Sequence, residues 1–174
     1  MADRPSVLGV ATYRDVESAV ADFTEMHASD QVDERPVAAA LVVKGPDGKP
    51  RIDRYDTSTL RPWGGALLGG ALAVVAAPLA IQPLSDVATK DGTWAGVGGI
   101  VGHFWHHIAK RQLLRMSELL ESGQAALVVV AIDRTAPDVD AMLLNSTETI
   151  VAETDGGDLE QAYLEALAQE RQSS

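Results

Sequence analysis

Hydrophobic and polar positions along this chain first form short apolar runs separated by helix-spaced stripes. Ser6 to Ala11 suits a buried strand, and Thr12 followed three places later by Asp15 has the capping-box spacing that opens a helix. Val16, Ala19, Val20 and Phe23 supply that helix with an apolar face. Val37 to Val43 reads as a second buried strand, closed by the turn signal Gly45-Pro46-Asp47-Gly48 and followed by a weaker strand at Arg51 to Thr57. The first third therefore predicts strand, helix, strand, strand.

The last third repeats this style. Gln112 to Ser122 carries Leu113, Met116, Leu119 and Leu120 at helical spacing and stops at Gly123, a residue favoured after a helix. Ala125 to Ile132 is the most apolar strand in the chain. Thr135, Pro137 and Asp138 form a second capping box with proline in the first turn, leading into a helix face of Val139, Met142 and Leu143. Thr149 to Ala152 predicts a final strand, and Asp158 caps a terminal helix bearing Leu159, Ala162, Tyr163 and Leu167. Val7 to Asp15 is echoed by Val128 to Asp138, so two strand-helix-strand halves combine into one sheet. The expected fold is α+β, a ferredoxin-like sandwich with helices on one face and a hydrophobic segment inserted between its halves. The corresponding divisions are residues 1–61, 62–111 and 112–174.

The inserted middle has a different texture. Pro62 to Ser85 holds no charged residue, and Gly65, Gly69, Ala73 and Ala77 recur every fourth position as a small-residue stripe that lets another backbone approach closely. Gly92 to Ala109 is again uncharged with neutral histidines and contains Gly98 and Gly102. The first arm is long enough to span about 30 Å of hydrocarbon. Its glycine and alanine content weakens insertion, and Pro78 and Pro83 kink or end the helix. Arg51, Arg54 and Arg61 before the segment and Lys110, Arg111 and Arg115 after it suit a hairpin with both ends cytoplasmic. A glycine-rich hairpin buried against its own copies in a soluble oligomer accounts for the same pattern. Self-association is common to both, with Gly65, Gly69, Ala73, Ala77, Gly98 and Gly102 as the expected contact points.

Charge sharpens the division. Residues 1–61 sum to -3, residues 62–111 to +1 and residues 112–174 to -9, giving the formal net charge of -11. So acidic a chain lacks the basic surface needed to neutralise phosphates, which argues against nucleic acid as a partner. The absence of cysteine removes disulfides and thiolate metal sites and fits a reducing compartment. The N-terminal residues lack an apolar signal core, so cytoplasmic or inner-membrane-associated residence is expected, with membrane lipid as the second partner beside further copies of the chain.

Gly102-His103-Phe104-Trp105-His106 and the run Ser117 to Val130, SELLESGQAALVVV, together with the strand-helix start and the glycine-zipper insert, resemble the bacterial domain-of-unknown-function family 1269. The likeness spans roughly residues 6 to 155. It implies a small α/β domain carrying a glycine-rich, membrane-protein-like hairpin, with no agreed catalytic activity and hence no catalytic residues to transfer. The His-rich segment and the two prolines of the first arm depart from commoner members.

Candidate chemistry is sparse. His103, His106 and His107 stand at i, i+3 and i+4, a helical geometry able to ligate a metal or haem. The plainer account is polar punctuation at the end of the hairpin, because no cysteine, aspartate or glutamate lies nearby to complete a ligand shell. Gly96-x-Gly98 lacks the spacing of a dinucleotide loop, and Gly45 to Lys49 matches a phosphate loop only in composition. Asp22, Glu25, Glu118 and Glu121 are expected on solvated helix faces, and His27 as structural or exposed. The expectation is thus a non-catalytic, self-associating protein without a cofactor. Its alternatives are a soluble assembly holding metal or haem at the histidines, and a small-ligand sensor using an exposed sheet face.

Overall fold

The computed structural model describes residues 5–33, 37–56, 75, 108–132, 134–155 and 168. These residues form an α+β arrangement in the order β1 (Pro5–Tyr13), α1 (Val16–Asp33), β2 (Val37–Lys44), β3 (Pro50–Asp56), α2 (Lys110–Ser122), β4 (Ala125–Ile132), α3 (Ala136–Asp140) and β5 (Glu148–Asp155). The five strands make one open antiparallel sheet in the order β3-β2-β4-β1-β5. Since β1 and β2 are each antiparallel to β4, they run parallel to one another with β4 between them. In the same way β4 and β5 run parallel with β1 between them. The two strand-helix-strand units are therefore interleaved.

Register explains why the central strands read as unbroken apolar runs. Val7, Ala11 and Tyr13 of β1 share a face with Val37, Ala39, Leu41 and Val43 of β2 and with Ala125, Leu127, Val129 and Ala131 of β4. Ala19 and Met26 from α1 and Val139 from α3 cover that face, with Leu143 just beyond α3. The opposite face consists of Leu8, Val10, Ala38, Ala40, Val42, Ala126, Val128 and Val130, and it too is buried. Strands covered on both sides have no polar positions to alternate with.

Two of the helices lie together on the first face, as the sandwich expectation requires; α2 does not. Its buried residues Leu113, Met116, Leu119 and Leu120 lie outside the first-face cluster, and Ser122 Oγ donates to Thr12 Oγ1 (3.2 Å) on the second face. "Helices on one face" thus holds only for α1 and α3.

Three local expectations also change. Thr12 belongs to β1 and opens no helix; Asp15 caps α1, accepting from the Ser18 backbone N–H at 2.7 Å, and that bond holds its carboxyl below the usual carboxylate value. The Thr135–Asp138 pair does form, with Asp138 Oδ2 accepting from the Thr135 N–H (3.0 Å) and hydroxyl (2.9 Å). However, α3 ends at Asp140, and the chain continues in short turns past Met142 and Leu143. Gly123 has extended backbone at φ -109, so it is not a left-handed helix stop. Its hydrogen occupies space that a Cβ could not, against Thr12 Oγ1 and the Tyr13 carbonyl oxygen of β1.

Gly45 to Lys49 is the expected hairpin turn. Gly48 N–H donates to Gly45 O and Gly45 N–H to Lys49 O, both at 2.9 Å, and Gly48 sits at φ 78, the left-handed region that suits glycine. The terminal helix predicted after Asp158 lies outside the described residues, apart from exposed, helical Ala168.

Candidate functional site

Helix α1 carries an unexpected residue on its core face. Ala19, Asp22 and Met26 stand at i, i+3 and i+7, all within 4% exposure, while Val16, predicted for the apolar face, is 41% exposed. Val20 and Phe23 flank the buried row. Asp22 therefore corrects the expectation of a solvated carboxylate. Glu25, Glu118, Glu121 and His27 are exposed.

A carboxylate can be buried only if donors replace water. Three do so here. Tyr13 Oη, on β1, donates to Asp22 Oδ2 at 2.7 Å; the Asn145 backbone N–H donates to the same oxygen at 3.0 Å; and Asn145 Nδ2 donates to Oδ1 at 2.6 Å. One side chain thus ties α1 to β1 and to the turn after α3. Both carboxylate oxygens are committed to these contacts, so the group acts as a polar staple.

Beside the staple is an open cleft of about 200 Å³, with Met26 and Met142 on its walls, Glu25 at its rim and Leu144 projecting from it. Leu144 is 78% exposed. Arg134, itself buried, directs Nη1 to Met142 Sδ at 3.6 Å and supports that wall.

Burial, followed by the Asp22 hydrogen bond and the Asp22 charge, pushes the Tyr13 phenol far above its ordinary value. The sign follows directly. The folded state retains the phenolic proton while the unfolded chain releases it near pH 10, so the contribution is complete below about pH 10 and is lost as pH rises above it. Denaturant midpoints measured from pH 8 to 11 should fall more steeply for the wild type than for Tyr13→Phe, by up to about 1.4 kcal/mol per pH unit above 10. Parallel curves would mean that Tyr13 ionises in the folded protein.

Gly65, Gly69, Ala73, Ala77, Gly98 and Gly102, with His103, His106 and His107, lie outside the described residues. Among the described residues no group of three histidine or carboxylate side chains is placed to hold a metal, and no helix is long and apolar enough to cross a membrane. One residue of the uncharged tract is described. Val75 is helical and wholly buried, and its carbonyl accepts a hydrogen bond from Ser117 Oγ on the buried side of α2. Ser117, also buried, stands within 2.9 Å of the Leu113 carbonyl one turn earlier.

No family model, curated protein or solved structure matches this chain.

The functional weight of the middle segment consequently rests on its own residues and on the Val75 contact. Sequence spacing alone could have found Asp22, because it falls three residues after Ala19 and four before Met26 on the core stripe. Nothing in the sequence singled out Asn145, which reaches Asp22 across 123 positions.

Proposed function

We propose that this chain is a non-catalytic, self-associating structural protein in which a ferredoxin-like body presents a glycine-zipper hairpin, copies assembling through that hairpin at or beside a membrane. The strand order β2-β4-β1-β5, with two interleaved strand-helix-strand units, supports the ferredoxin-like assignment, β3 being an added edge strand. The likeness to domain family 1269 belongs to the same proposal and rests on Gly102 to His106 and Ser117 to Val130.

The observation that carries the proposal is the seat of Val75 against α2. On a helix, a residue two positions from Ala73 and two from Ala77 stands about 200° round from each. On a helix through Val75, Ala73 and Ala77 would stand opposite it, the side on which we propose that another backbone docks. Small residues there allow the close approach that gives such contacts their dispersion energy.

Light scattering without detergent, after carbonate fractionation, tests this directly. The wild type should be a discrete assembly, and Gly69→Leu should reduce its mass because the new side chain holds the helices apart. A Gly69→Leu particle of unchanged mass would end the zipper assignment. Release of the wild type by carbonate would place the assembly beside the membrane, and retention would place it within.

A further inference from the structure

The sheet has two edges, and they are built differently. β3 begins with Pro50 and carries Arg51, Asp53, Arg54 and Asp56. It is also broken by a bulge, since Leu41 pairs with Arg54 and Val42 with Ile52, leaving Asp53 out of register. Proline, alternating charge and a bulge each discourage another strand from pairing. β5, at the other edge, has none of the three. It pairs with β1 without a shift from Glu148 to Asp155, and its centre is the uncharged run Thr149-Ile150-Val151-Ala152, with Ile150 and Val151 only half-buried. Among the described residues β1 is its one neighbour.

We propose that β5 is a homodimerisation edge, pairing antiparallel with β5 of a second copy to join the two sheets edge to edge. In a two-fold antiparallel pair one residue must face its own copy, because directly opposed side chains share a face. Centring on Val151 sets Ile150 opposite the partner's Ala152, Thr149 opposite the partner's Glu153 and Glu148 opposite the partner's Thr154. Apolar residues then meet apolar residues, and Glu148 and Glu153 each stand opposite a threonine position. No like charges oppose one another, although the last third of the chain carries a net charge of -9. A centre at Ala152 would set Val151 against the partner's Glu153, and a centre at Ile150 would set Glu148 against the partner's Ala152. A single strand that accommodates its own acids in this way fits a second copy of itself. This edge is separate from the glycine stripe, so each contact stands or falls alone.

The absence of native cysteine makes the register measurable. In the full-length chain, Val151→Cys should form an intermolecular disulfide under mild oxidation, most of the protein running as a dimer without reductant. Thr149→Cys should not, since that residue and its copy are about 13 Å apart along the strand, well beyond the roughly 4.4–6.8 Å Cα separation of a disulfide. Should Val151→Cys fail to fold by circular dichroism, Thr149→Cys combined with Glu153→Cys reads the same register, because each cysteine then faces the partner's other one. A folded Val151→Cys that stays monomeric overturns the proposal. Equal cross-linking of Thr149→Cys, or a concentration-dependent open polymer from β5 pairing with β3, overturns it as well. The cross-link should persist in Gly69→Leu, which separates this result from that of the zipper.

Discussion

Asp22→Ala should lower stability by about 3 kcal/mol, seen as a fall in melting temperature of about 6–12 °C for a chain of this size. Three donors lose their acceptor at once: the Tyr13 hydroxyl, the Asn145 backbone N–H and the Asn145 side-chain amide. The Tyr13 hydroxyl is buried, and a buried donor without a partner costs more than its hydrogen bond contributed. The cost is not simply that of a lost charge. Asp22→Asn retains shape and one acceptor oxygen, so its loss should be about half as large. Tyr13→Phe combined with Asp22→Ala should lose less than the two single changes added together, because each single change leaves the other's partner stranded. Additive losses would show that the two residues act independently despite their 2.7 Å contact.

The second large effect is expected at Gly123. Its φ of -109 suits any residue, so conformational freedom is not the reason for glycine. An added methyl group would collide with Thr12 Oγ1 and with the Tyr13 carbonyl oxygen, and the latter is fixed in β1 and accepts the Gln124 N–H at 3.0 Å. Backbone cannot yield as a flexible side chain would. Gly123→Ala should therefore cost about 2–3 kcal/mol, the upper part of the range for overpacking. Gly48→Ala is a useful comparator. Gly48 has a left-handed φ with open space around the missing Cβ, so the loss there should be only about 1 kcal/mol. Chemical denaturation of both variants decides the matter, and a larger loss at Gly48 would refute the steric account.

These two positions illustrate how the fold does and does not follow from pattern. Ala125 to Ile132 and the stripe Leu113, Met116, Leu119 and Leu120 translate directly into β4 and α2, because burial alone determines them. Periodicity cannot say which face of a sheet a helix chooses, since that depends on which strands lie beside one another. For this reason the pattern groups α2 with the other helices, whereas it lies on the opposite side. Gly123 has the composition of a helix stop, but its function depends on where β1 lies, a hundred residues earlier. Thr12 shows the same competition locally: β1 and β4 pair as far as Tyr13 and Ala125, and that ladder draws Thr12 into the strand and leaves Asp15 to cap α1. Asp22 reads as a solvated carboxylate because a charge on a core stripe is tolerable only where donors meet it, and one of those donors, Asn145, lies 123 positions away.

The interleaved strand order has a consequence for synthesis. β1 is synthesised well before its neighbours on both sides, β4 and β5, since 112 positions separate Tyr13 from Ala125 (125 − 13). At translation speeds of roughly 5–20 residues per second, an apolar strand would wait several seconds for its ladder. During that interval β1 is held only by provisional contacts, and the centre of the sheet closes only after β4 has emerged.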